Sequence, residues 1–268
     1  MGIIERKERE REARRSGILD AAAKIFKSKG FANATMDDIA RDAELAKGTI
    51  YLYYKSKEEL QIGLVMRGLD LMGQEFKSAA ETASTAFEKF LTMGEAYWQF
   101  ANTHPFYFAT MHLIDVPQND GQISEETLRS LHEQTNSIWA EMVSLIEQSK
   151  VEGMVRHEVN AFAFSMLLWM NTTSTLRFHH KVSTTPNSAW RNDNEYNPCK
   201  VNFRLLYDLN AGLLFHQIVT EEGRKFLKPL EWPQSMSIQD YELADNSLGL
   251  QPFAEETALQ EILNNSIL

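Results

Sequence analysis

Apolar residues recur along this chain at helical spacing, and the alternating Val, Ile and Thr runs that build strands are missing. Five of the seven prolines lie beyond Thr185, so long stretches before it carry no helix breaker. Together these features predict an all-α fold. A hydrophobic share of 43% supplies a sizeable core and excludes global disorder. The 268 residues allow one large domain or two modest ones. The longest nearly unbroken apolar run, Ala161–Met170, is interrupted by Ser165 and is too short to span a bilayer, so no membrane association is expected. Met1–Arg15 is dense in Glu, Lys and Arg and has no apolar segment of the secretory kind. Gly2 lacks the Ser or Thr that myristoylation needs, since Arg6 stands at that place. A single cysteine, Cys199, makes neither an internal disulfide nor a thiolate zinc site. The expected setting is reducing and cytoplasmic.

The net charge of −10 at first argues against a polyanionic partner, but the charges are unevenly placed. Residues 1–57 hold 13 Lys and Arg against 9 Asp and Glu, whereas residues 58–268 hold 14 against 28. A basic head of net +4 on an acidic body of net −14 is the asymmetry expected when only the head meets nucleic acid.

Residues 5–15 alternate acid and base and read as a solvated lead-in. A first core helix places Ile18, Ala22, Ile25 and Phe26 on one stripe and stops at Lys29-Gly30. Thr35 caps a short helix, with Asp38 completing a reduced capping box, and a turn follows at Ala43-Glu44-Leu45. A second short helix runs from about Lys47 to Tyr54, and Ser56 with Glu59 opens a long one. Further helices are expected at 57–80, 84–102, 105–114, 123–150, 158–181 and 200–227, with breaks at His104-Pro105, Val116–Gly121 and Gly153. Residues 182–199 read as a polar loop. Beyond Lys228 there are seven acids and no Lys or Arg, an acidic tail with room for one short helix, Glu255–Leu263. The expected division is a head at 1–57, a helical body at 58–228 and the tail at 229–268.

Two short helices joined by about four residues make a helix-turn-helix. Ile39, Ala43, Leu45 and Ile50 are spaced to share a small core, and small Ala40 permits a close crossing. The second helix is too short to stand alone, and its outward face carries Lys47, Thr49, Tyr51, Tyr53 and Lys55. Lys47 and Thr49 suit base edges, since lysine addresses guanine acceptors and the threonine methyl meets thymine. Gly48 permits a close backbone approach. The Tyr51 and Tyr53 hydroxyls, Lys55 and Lys57 suit phosphates, which set register. Free N–H groups near Thr35 and Lys57 add phosphate donors. The Arg6–Arg15 lead-in offers further phosphate contact, weakened by Glu8, Glu10 and Glu12.

The stretch carrying Ala22, Phe26 and Gly30, then Thr35, Asp38–Ala40, Lys47–Tyr51 and Tyr54–Leu60, resembles the DNA-binding domain of the TetR family of transcriptional regulators, over about residues 14–62. The resemblance implies an all-α homodimer with a three-helix DNA-binding head and a larger body that senses a small molecule. It places DNA contacts on Thr35, Lys47, Gly48, Thr49, Tyr51, Tyr53 and Lys57, and makes Tyr54, usually Phe, a packing residue. Two positions depart from the family pattern. Glu44 stands where the tight turn usually has Gly, at a cost of about 1 kcal/mol if its backbone is left-handed. Ala46 replaces the usual Ser or Thr cap of the second helix, forfeiting about 1 kcal/mol.

The body is rich in bulky residues, most of which must be core. The resemblance implies a cavity among its helices, and an aromatic and methionine bias suits an apolar or aromatic effector. The candidate lining residues are Trp98, Phe108, Met111, His112, Trp139, Met142, Trp169 and Thr173. Asn171, Thr172, Thr173 and Arg177 add polar groups beside Trp169, to orient a ligand or to cross a dimer interface. His104, His112, His179 and His180 read as structural or surface residues rather than metal ligands, because adjacent histidines on a helix diverge by about 100°. No cofactor is expected. Neither a phosphate-binding loop, a dinucleotide glycine motif, a nucleophile elbow nor a zinc-protease motif occurs, so no enzyme is expected. The reading is a ligand-responsive repressor that binds a palindromic double-stranded operator as a homodimer. Helices near 158–181 and 200–227 would form the dimer interface, as the resemblance implies. A structural or division-associated DNA-binding protein of the same fold, with no effector, is the alternative.

Overall fold

The computed structural model describes residues 2–112, 123–185, 188 and 201–229. Among these, ten helices follow one another: α1 (Ile3–Asn33), α2 (Met36–Asp42), α3 (Lys47–Tyr51), α4 (Lys57–Ala80), α5 (Ala86–Thr103), α6 (Pro105–His112), α7 (Glu125–Val151), α8 (Ala161–Thr184), α9 (Phe203–Ile218) and α10 (Glu221–Arg224). The fold is all-α: the β feature among the described residues is one isolated antiparallel bridge, Val155 to Val219. No helix among them is long and apolar enough to cross a membrane. The expected Val116–Gly121 break, Cys199, most of the 182–199 loop, and the tail beyond Pro229 with its Glu255–Leu263 helix lie outside the described residues.

Two compact units divide the chain. The first contains residues 2–71, 106–112 and 123–136. Its core joins Ile18, Ala22 and Phe26 of α1, Ile39 and Ala40 of α2, Ile50 of α3, Leu60 and Leu64 of α4, and Phe106 and Ala109 of α6. The lead-in is helical, part of α1, and its side chains from Glu5 to Arg14 are exposed. α1 is interrupted near its end by Gly30, whose φ of 74° is easy only for glycine, so the expected stop at Lys29-Gly30 appears as a break before a last turn. The Thr35 hydroxyl accepts from the Asp38 N–H at 3.1 Å, and Asp38 reaches back to the Thr35 N–H, the capping box read from sequence. Glu44 adopts φ 54°, the left-handed turn its position demands.

The second unit contains residues 72–105, 137–185, 188 and 201–229. Aromatic rings interlock at its centre. Phe215 of α9 meets Phe87 and Phe90 of α5 and Phe164 of α8, with ring centroids 5.9, 5.8 and 5.4 Å apart. Tyr97 lies buried with its hydroxyl 2.8 Å from the Thr173 hydroxyl. Glu152 reaches across 66 positions to accept from the Ala86 N–H at 2.8 Å and so caps α5.

Two expected helices need correction: the one expected from about Lys47 to Tyr54 ends at Tyr51, and the last is broken in two. Residues 200–227 do not form one helix: α9 ends at Ile218, and α10 restarts at Glu221 behind a Thr220 cap. The cause is a long-range contact. The Arg156 N–H donates to Ile218 O and the Thr220 N–H to Met154 O, pulling Val219 into the bridge with Val155. At Gly223 a Cβ would stand 2.2 Å from Met154 O, so only glycine permits this approach.

Candidate nucleic-acid interface

α3 is five residues long and buries a single side chain, Ile50. It is therefore held by its surroundings rather than by its own hydrogen bonds. Ile50 sits in the core shared with Ile39 and Ala40, while Ala43 and Leu45 pack against that core from the turn. With Ile50 turned inward, Lys47, Gly48, Tyr51 and Leu52 face solvent and Thr49 and Tyr53 are half-buried. Ala46 makes no side-chain cap bond, as its type dictates. A Cβ on Gly48 would meet nothing within 4 Å, so the protein's own packing does not require glycine there.

The Lys47 ammonium lies 2.7 Å from a carboxylate oxygen of Asp37, in the first turn of α2. Hydrogen bonding to Asp37 raises the lysine pKa, against an opposing effect of desolvation. Thr35 is exposed, but its hydroxyl serves the α2 cap: it also donates to Asp38 Oδ2 at 2.8 Å. Asp38 in turn takes Lys29 at 2.7 Å, and that bond leads in holding its carboxyl below the usual range. Lys55 is exposed. Lys57 is not: its ammonium donates to Phe31 O at 2.7 Å and Ala32 O at 3.3 Å and stands over the Phe31 ring. It thereby satisfies carbonyls at the end of α1 and ties α1 to the start of α4.

Behind α3, Tyr54 is buried as a packing residue, and its hydroxyl accepts from Arg15 Nε at 3.2 Å. The Ser56 hydroxyl accepts from the Glu59 N–H at 3.1 Å, as a capping box requires. The buried Glu59 carboxylate accepts from the Lys55 N–H at 2.7 Å and from the Ser124 N–H at 2.8 Å, linking the turn after α3 to the start of α7. Arg67 of α4 binds Asp20 and Ser16 of α1. The recognition face is thus mounted on a small apolar core with polar clamps around it. Sequence reasoning passed over two of its members. One is Asp37, whose signal is an acid and a base at the first turns of consecutive short helices. The other is Leu52, which is 82% exposed at the end of α3.

The family model described as bacterial regulatory proteins, tetR family, matches residues 18–62, from the first core helix through the start of α4. Over that segment the chain is similar to regulators of this family. An HTH-type transcriptional regulator of Bacillus subtilis, the uncharacterized YfiR, is 35% identical over 74 residues, 28% of this chain and 36% of that protein. A second from the same organism, the uncharacterized YhgD, is 29% identical over 158 residues, 58% of this chain and 80% of that protein. The chain therefore spans little more than a third of the first relative and four fifths of the second. The crystal structure of the transcriptional regulator FadR from Bacillus subtilis in complex with stearoyl-CoA is similar in fold. Its TM-score is 0.56 at 18% identity, over 75% of this chain and 97% of that one.

The candidate effector residues are divided between the units. Phe108, Met111 and His112 belong to the first: Phe108 is fully buried with the His112 ring 4.9 Å away, and Met111 lies against Gly68. Trp98, Trp139, Met142, Trp169 and Thr173 belong to the second. There Trp98 is enclosed by protein: His179 stacks on it at 5.5 Å, Tyr207 lies at 5.2 Å, and the Arg204 guanidinium stands over it at 5.3 Å. Arg204 is fixed in turn by Glu95 and Asp208. Trp139 and Trp169 meet edge to face at 5.6 Å, and both are half-buried like Met142. The polar quartet is split: Thr172 and Thr173 are buried, whereas Asn171 and Arg177 are exposed. The histidines are likewise dispersed. His104 faces Glu75, His179 stacks between Trp98 and Phe203, and His180 is buried, its pKa lowered to about 4 chiefly by desolvation and secondarily by His179. Among the described residues no three His, Cys, Asp or Glu side chains gather as a metal site would require.

Proposed function

We propose that this chain is a TetR family regulator, a ligand-responsive repressor that binds a palindromic operator as a homodimer. The observation that carries the reading is the outward face of α3. Lys47, Gly48 and Tyr51 stand exposed there on the matched DNA-binding segment, with Thr49 beside them. In a helix-turn-helix the N-terminal residues of the second helix meet base edges in the major groove. Lys47 and Thr49 read bases; Tyr51, Tyr53, Lys55, and the backbone near Thr35 and Lys57, hold phosphates.

Dimerisation is supported by α8 and α9. Leu167, Met170 and Phe178 of α8 and Leu206 and Leu213 of α9 are apolar yet between 38% and 51% exposed, and each set recurs at helical spacing. Such contiguous apolar faces mark association surfaces. Pairing them with a second copy forms a four-helix interface and carries two α3 helices to major grooves about 34–36 Å apart.

The effector binds the aromatic body. The similarity to FadR, which is complexed with stearoyl-CoA, favours a largely apolar effector, and the Trp139–Trp169 pair with Met142 suits one. A ligand that favours a state with the wrong spacing of the two heads weakens DNA binding through differential affinity alone, typically about 5–150-fold. The regulator acts in the cytoplasm and needs no cofactor. The test is fluorescence anisotropy on an operator selected from genomic fragments, repeated with stearoyl-CoA and with a panel of aromatic carboxylic acids. A dimer in light scattering, a selected operator and a loss of affinity with one class of compound are expected. No compound response at all would leave a DNA-bound protein without an effector, and no selected operator would defeat the proposal outright.

A further inference from the structure

The Lys47–Asp37 pair puts an acid where a polyphosphate is to approach. Both side chains are more than half exposed, 53% and 58%, so an isolated pair of this kind adds little stability. Asp37 is also not needed to cap α2, since Thr35 and Asp38 complete that box between themselves. Paired with Lys47, the Asp37 carboxylate cancels positive charge that this face would otherwise offer to phosphates, a cost that a donor on the DNA would offset.

The edge of a base pair supplies one. A carboxylate accepts from the N4 amine of cytosine, and a lysine donates to guanine O6 and N7. In a G·C pair the O6 and N4 atoms are hydrogen-bonded to each other and so lie about 3 Å apart. The Lys47 ammonium and the Asp37 oxygen are 2.7 Å apart, a donor beside an acceptor at the matching interval. A T·A pair offers the same order of acceptor and donor, but thymine has a single acceptor flanked by its methyl, where guanine has two. The reversed pairs C·G and A·T set donor against donor.

We propose that Asp37 is a specificity-determining residue: held against Lys47, it accepts from cytosine N4 while Lys47 donates to the guanine of the same pair. The inference rests on the reading that α3 enters the major groove. Asp37 thereby fixes the orientation of one G·C pair and disfavours random DNA, where its charge faces phosphate without return.

The experiment is selection from a random duplex library by the full-length protein, as wild type, Asp37→Ala and Asp37→Asn, with circular dichroism on each to establish folding. The wild type should enrich one oriented G·C pair. Asp37→Ala should lose preference for that orientation about fivefold or more, Asp37→Asn should lose less because its amide oxygen still accepts, and both should keep the rest of the motif and bind random duplex more tightly. A wild type that enriches no sequence overturns both this inference and the function on which it rests. A wild-type motif without such a pair overturns this inference alone. So does an unchanged motif in folded variants that bind all DNA more tightly by one common factor, because Asp37 then acts only through its charge.

Discussion

The head and the body hold themselves together differently. The first unit has a mostly aliphatic core around Ile18, Ile39, Ile50 and Leu60, with Phe26, Tyr54 and Phe106 among it, ringed by polar clamps at Arg15, Lys57, Glu59 and Arg67. The second has a lattice of rings around Phe215, with Thr172, Thr173 and His180 among its buried polar side chains. The difference follows from what each must leave outside. A head that keeps Lys47, Tyr51 and Leu52 in solvent adds directed contacts to its core. The body turns Phe87, Phe90, Phe164 and Phe215 inward, and its stability resides largely in their packing.

The sharpest way to break that contrast is to remove a ring. Phe215 is 5% exposed and touches Phe87, Phe90 and Phe164. Phe215→Ala should cost about 3–5 kcal/mol in denaturant unfolding, through lost transfer energy and the cavity left behind. A cost under about 1 kcal/mol means the ring lattice is not what stabilises the body. Much of the head, by contrast, was legible because its signals are local. Thr35 with Asp38, the stop at Gly30, the left-handed Glu44, the capless Ala46 and both ends of α4 each follow from residues within a few positions. What escaped depends on distant partners. Lys57 reads as a phosphate ligand, but Phe31 O lies 26 positions away and claims it. Nothing near Trp98 in sequence signals that His179, Tyr207 and Arg204 close around it. The end of α9 at Ile218 is set by Val155, which no local pattern reveals.

A second, smaller effect sharpens the body's side of the comparison through pH. His180 is buried, and its pKa falls from 6.5 to about 4 in the folded protein. Between those values the unfolded chain binds the proton and the folded one does not, so stability is full above about pH 6.5 and is lost as pH falls towards 4. The loss between about pH 7 and about pH 5 should be near 2 kcal/mol. Unfolding followed at the two pH values in wild type and His180→Gln measures it. An equal pH loss in the variant assigns the dependence to other groups.

The smallest effect separates stability from function in the head. Gly48 lies inside α3, where glycine is less favourable than alanine by about 0.5–1 kcal/mol. Space does not explain its presence, because a Cβ there would touch nothing within 4 Å among the described residues. The remaining reason is an external one, close approach of the backbone to the duplex. Gly48→Ala should therefore raise the unfolding free energy by up to about 1 kcal/mol while lowering affinity for the selected operator. Paired measurements on one variant make the outcome decisive. A gain in both quantities removes the backbone approach at Gly48, and a loss in both returns the glycine to an ordinary structural role.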